Sequence, residues 1–74
     1  MKIAIIGGTG PQGKGLALRF ARSGINVVIG SRNVENAMKT SKDLLGVLPD
    51  GSADISGASN VDAITTSDEF VIYA

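Results

Sequence analysis

"KIAIIGGTGPQGKG", residues 2–15, decides how the rest of the chain is read. After Lys2, the next four residues form a continuous apolar run, rich in isoleucine and closed by glycines. Such a run reads as a strand covered on both faces, as in a parallel sheet. The glycines then satisfy two phosphate-binding templates at once. Gly8, Gly10 and Gly13 carry the G-x-G-x-x-G spacing of a dinucleotide-binding turn, while Gly8, Gly13 and Lys14 nearly complete the G-x-x-x-x-G-K spacing of an NTPase P-loop.

Two observations weigh against the P-loop. The residue after its lysine must be Ser or Thr, whose hydroxyl holds magnesium, and here it is Gly15. Pro11 is suited to the first turn of a helix, so Lys14 is expected inside that helix rather than in a loop. The dinucleotide template meets every requirement. The motif follows a strand, opens a helix and precedes a second strand. Gly8 suits the tight turn, Gly10 lets the backbone approach a pyrophosphate, and Gly13 lets the helix pack closely on the strand.

Outward from the motif, Leu16, Ala17, Phe20 and Ala21 recur at helical spacing, with Gly24 as the C-terminal stop. "INVVIG", residues 25–30, is a second buried strand. Asn33 is placed to cap a second helix whose apolar stripe is Val34, Ala37, Met38, Ser41, Leu44 and Leu45. "LPDGS", residues 48–52, is turn chemistry. "ADIS", residues 53–56, is a short third strand. Residues 60–68 read as a short helix or turn capped by Asn60, and residues 69–74 as a fourth strand. Alternation of strand and helix predicts an α/β fold of Rossmann type, a parallel sheet with flanking helices and strand order 3-2-1-4.

The chain has 74 residues, 43% of them hydrophobic, and is expected to form one small globular unit. Seven basic and seven acidic side chains give no net charge, which argues against nucleic acid or an anionic membrane as the main partner. There is no Cys and no His, so disulfides, thiolate chemistry, imidazole bases and the usual zinc sites are excluded. The N-terminal apolar run is too short for a signal peptide or a membrane span, and a cytoplasmic location is expected. The chain stops on its last strand with an apolar edge open, which natural proteins usually cover. Residues 1–74 are therefore expected to be the N-terminal portion of a longer nucleotide-binding domain. A truncated product, or an edge covered by a second copy or partner, are the alternatives.

The end of the second strand bears on which dinucleotide is bound. NAD-binding proteins commonly place a carboxylate there for the ribose 2′-hydroxyl. Here "GSRN", residues 30–33, offers Ser31 and Arg32, and no carboxylate occurs until Glu35. The planar donor fork of Arg32 matches a 2′-phosphate, which a carboxylate would repel. These residue types favour NADP.

"MKIAIIGGTGPQGKGLALRFARSG" followed by "VVIGSR" resembles the N-terminal domain of the NADP-dependent coenzyme F-420 oxidoreductases. The pattern "DISG…N-x-DA" at residues 54–63 is similar as well. The resemblance covers essentially the whole chain, but only part of the family's nucleotide domain. It implies hydride transfer between a reduced deazaflavin, coenzyme F-420, and NADP. It also implies that Thr9, Gly10, Pro11 and Gln12 line the pyrophosphate and that Ser31 and Arg32 hold the 2′-phosphate. A basic residue often found further along the family's second helix is not matched, for Asn36 and Lys39 occupy that region. Archaeal-type prephenate dehydrogenases share the opening, and pyrroline-5-carboxylate reductases are more distant relatives of the domain type.

Hydride transfer between two cofactors needs alignment more than acid–base groups. The seven carboxylates, Glu35, Asp43, Asp50, Asp54, Asp62, Asp68 and Glu69, form no recognisable catalytic pair. No catalytic and no metal-ligating residue is expected. The expectation is the NADP-binding front of an oxidoreductase, inactive in isolation. The alternative is a nucleotide-binding or interaction module without catalysis.

Overall fold

The computed structural model describes residues 2–67 and 70–73. Four strands and three helices alternate along it: β1 (Lys2–Ile6), α1 (Pro11–Arg22), β2 (Asn26–Ser31), α2 (Val34–Leu45), β3 (Ile55–Ser59), α3 (Asn60–Thr66) and β4 (Phe70–Tyr73). The strands form one sheet in the order β3-β2-β1-β4, and every pairing is parallel. This is the α/β, Rossmann-type arrangement expected from the sequence.

The sheet is covered on both faces, and the alternation of side chains along each strand sorts the core into two unequal halves. Ile3, Ile5, Val27, Ile29 and Ile55 point to one face, where Ala17 and Ala21 of α1 and Ala37 and Leu44 of α2 cover them. Ala4 and Val28 point to the other, under Ala63 of α3, with Ile6, Ala58 and Val71 at the margins. Burial on both faces explains the unbroken apolar runs of β1 and β2.

Local chemistry sets the element ends. Pro11 occupies the first turn of α1, and Arg19 and Arg22 lie in its last turn, where cations favour the helix dipole. Gly24 follows with φ +87°, the left-handed conformation that stops a helix. Asn33 caps α2 by accepting a hydrogen bond from the Asn36 N–H at 3.2 Å.

Four features differ from the sequence reading. β2 begins and ends one residue later than expected. In α2 the buried residues are Ala37, Thr40, Ser41 and Leu44, whereas Val34, Met38 and Leu45 of the expected stripe are exposed. The cause is Gly57 on β3. A Cβ there would lie 2.4 Å from the carbonyl carbon and oxygen of Ala37, so the α2 backbone rests directly on the strand and small residues must face it. The third strand runs over Ile55–Ser59 rather than residues 53–56, because its pairing with β2 and its cover by α2 outweigh the weak strand propensity of "ISGAS". α3 is capped by Ser59, whose hydroxyl accepts from the Asp62 N–H at 3.1 Å, and not by Asn60, its first residue. Asp68, Glu69 and Ala74, at the ends of the last expected helix and strand, lie outside the described residues.

Candidate dinucleotide-binding site

β1 ends at Ile6, and the chain turns into α1 through Gly7–Gly10. The residue with the left-handed backbone is Gly7, at φ +74°, rather than Gly8. Gly8 serves by having no side chain. It is buried, and a Cβ on it would lie 2.9 Å from Ile29 Cγ2 and 3.0 Å from the Ile5 carbonyl oxygen. A Cβ on Gly13 would lie 2.5 Å from Gly8 Cα, so the first turn of α1 touches the backbone of the glycine turn. Gly10 differs from both. Its missing side chain faces open space, the nearest atom being the Gly7 carbonyl oxygen at 4.0 Å.

This geometry leaves the N-terminus of α1 electrically open. Gly10 is its N-cap and offers no side-chain acceptor, and the first turn contains no acidic residue. The first bond of the helix runs from the Lys14 N–H to the Gly10 carbonyl at 3.0 Å. The N–H groups of Thr9, Gln12 and Gly13 find no acceptor among the described residues. Such an end binds anions, since unpaired N–H groups and the helix dipole act in the same direction. Lys14 lies inside the helix and is exposed, which removes it from any P-loop role. Pro11, Gln12, Gly15, Leu16 and Arg19 line an open concavity of about 390 Å³ along the adjoining side of α1.

The second group of expected residues lies at the carboxyl end of β2. Ser31 is half-buried, and its hydroxyl oxygen accepts from the Asn33 N–H at 3.1 Å, which leaves the hydroxyl proton free to donate. Arg32 is exposed and bonds to none of the described residues. Asn36 and Lys39 are exposed on α2. The two groups meet at Gly30, whose carbonyl oxygen accepts from the N–H groups of Gly7 at 3.0 Å and Gly8 at 3.4 Å. Gly8, Thr9, Gly10, Pro11, Gln12 and Gly13 thus stand at one end of the sheet together with Ser31 and Arg32. That end, beyond the carboxyl ends of the strands, is where open α/β sheets bind ligands. Sequence reasoning missed the role of Gly30, because its partners lie more than twenty residues away and only the β1–β2 register brings them together.

The donor set fits an extended anion carrying phosphates at two points. Free amides and a helix N-terminus suit a pyrophosphate, and a hydroxyl with a guanidinium suits a second phosphate. Among the described residues, no group of three or more His, Cys, Asp or Glu could hold a metal ion. No helix among them is long and apolar enough to cross a membrane.

Comparison with known proteins agrees with this geometry. The family model described as NADP oxidoreductase, coenzyme F420-dependent, matches residues 2–74. The F420-dependent NADP reductase of Methanothermobacter thermautotrophicus is 49% identical over 72 residues, covering 97% of this chain and 31% of the relative. That of Methanothermobacter marburgensis is 46% identical over 63 residues, covering 85% of this chain and 28% of the relative. That of Methanocaldococcus jannaschii is 45% identical over 74 residues, covering 97% of this chain and 33% of the relative. The chain spans about a third of the length of the curated relatives it matches. With the motif, the sheet order and the match in agreement, the chain belongs to the family of coenzyme F420-dependent NADP oxidoreductases.

Proposed function

We propose that residues 1–74 are the N-terminal portion of the NADP-binding domain of an oxidoreductase that moves a hydride between reduced deazaflavin coenzyme F-420 and NADP. The observation that carries this reading is the uncapped N-terminus of α1, joined through Gly30 to Ser31 and Arg32. In this reading Gly8 and Gly13 hold the turn and the helix together. The amides around Thr9, Gly10, Pro11 and Gln12 take the pyrophosphate oxygens, with Pro11 contributing shape rather than a donor. The hydroxyl of Ser31 and the guanidinium of Arg32 take the 2′-phosphate, and the lack of an adjacent carboxylate removes the usual preference for NAD.

The nicotinamide ring, when bound, supplies the hydride chemistry. The part of this chain is to bind and orient. No side chain here is assigned a proton-transfer role. The deazaflavin, and whatever aligns it, comes to this reading from the family and its named relatives. The outer edge of β4 pairs with no strand among the described residues, and Phe70 and Tyr73 on it are exposed. Further polypeptide or a second copy of the protein covers that edge in this reading. A cytoplasmic setting goes with it.

Calorimetric titration tests the reading. NADP is expected to bind more tightly than NAD. Arg32→Ala is expected to weaken NADP by roughly 10- to 100-fold, the range for loss of a charge-assisted phosphate contact, while NAD is unaffected. Equal binding of the two dinucleotides by the wild-type protein sinks the proposal.

A further inference from the structure

We infer that Asn60 is a positioning residue that acts through Gly30 to set the offset between the two phosphate-binding groups. This rests on the NADP reading above and adds to it a residue outside the motif. Asn60 opens α3, on the face of the sheet opposite α1 and α2. Its side chain neither caps the helix nor bonds to any described residue, and its Oδ1 is buried without a hydrogen-bond partner. An unpaired buried carbonyl oxygen is destabilising, so hydrogen bonding among the described residues gives no reason for an Asn at this position.

Space does give one. Oδ1 lies 2.9 Å from where a Gly30 Cβ would be, and Ile6 Cδ1 at 2.9 Å and Ala63 Cβ at 3.0 Å crowd the same point. An oxygen is smaller than a methyl group, so at this crowded point Asn60 presses less on Gly30 than a Leu would. Gly30 is also the residue that joins the two halves of the site. The glycine turn is carried by β1 and α1, while Ser31 and Arg32 are carried by β2 and the entry to α2. The bonds from the Gly7 and Gly8 N–H groups to the Gly30 carbonyl tie these carriers together. Pressure on Gly30 from the α3 side therefore changes the distance between turn and guanidinium without removing a contact from either.

A ligand that spans both groups feels that distance, and a ligand that uses one group does not. The test is to titrate the full chain, as wild type, Asn60→Leu and Asn60→Ala, with NADP, NAD and adenosine 2′-monophosphate. Asn60→Leu puts a methyl where the oxygen was and is expected to weaken NADP about tenfold, a loss of about 1.4 kcal/mol. Its binding of NAD and of adenosine 2′-monophosphate is expected to stay at the wild-type level. Asn60→Ala is expected to act in the same direction by a smaller factor, and it decides the question should the Leu variant not fold. If the three ligands weaken together in the folded variants, or none weakens, Asn60 is a packing residue and the inference is overturned. A wild-type chain that does not prefer NADP to NAD overturns the underlying reading instead, and that outcome is visible before any variant is made.

Discussion

The N-terminus of α1 and those of α2 and α3 face the same problem and answer it in opposite ways. The first N–H groups of any helix lack acceptors within it. α2 meets this with the Asn33 side chain and has Glu35 in its first turn. α3 does the same with Ser59 and Asp62. α1 has a glycine at the cap, no acid in the first turn, and a proline that removes one donor altogether. A single serine at position 10 would have paired one of these amides, and the space for it exists. Two helices pair one first-turn amide with a side-chain cap of their own, and one has no such cap; in the proposed function its amides meet a pyrophosphate.

The largest effect on this contrast is expected from Gly13→Val. Its Cβ alone would fall 2.5 Å from Gly8 Cα, so α1 must move off the turn. Overpacking of this kind costs about 3 kcal/mol, and urea unfolding should show it together with complete loss of NADP binding. Gly10→Asp sharpens the comparison by making α1 resemble its neighbours. A carboxylate cap is expected to raise stability by a few tenths of a kcal/mol while its charge repels pyrophosphate and weakens NADP by more than about tenfold. A gain in stability with unchanged affinity would break the argument that this end is kept open for a ligand. Ser59→Ala is the converse case. It should cost about 1 kcal/mol of stability, read from the urea midpoint, and leave the affinity for NADP where it was. The smallest effect is electrostatic. Raising salt from low ionic strength should weaken NADP more than NAD, because Arg32 is exposed and its attraction for a phosphate is screened.

The parts of the fold legible in the sequence are those where local chemistry and tertiary demand agree. "KIAII" and "NVVIG" are rich in Ile and Val because both faces of β1 and β2 are covered, and Pro11 and Gly24 by conformation and Asn33 by its side-chain cap mark helix ends. Where the two disagree, tertiary structure prevailed. Val34 and Met38 look like core residues by periodicity, yet the closeness of α2 to Gly57 gives the inner face to Ala37, Thr40 and Ser41. "ISGAS" has little strand character of its own and is a strand because β2 pairs with it. The residues proposed to hold phosphate were legible as a group for a related reason. They are close in sequence, and each acts through its own backbone or side chain. Gly30 was not, since its two bonds to the glycine turn, and the Asn60 oxygen beside its absent side chain, join segments distant in the chain.

The order of the strands has a kinetic consequence. Of the four described strands β1 is made first, and it sits inside the sheet, between β2 and β4. One of its neighbours follows within one helix. The other pairs Ile3 with Phe70, so nearly the whole described chain must be made before that side is filled. Closing so long a loop is slow, and an apolar strand with an unpaired side can recruit other strands during synthesis. The sequence that builds the glycine turn is thus committed early, while the strand beside it arrives late. Nascent chains stalled before residue 70 should be the ones that aggregate.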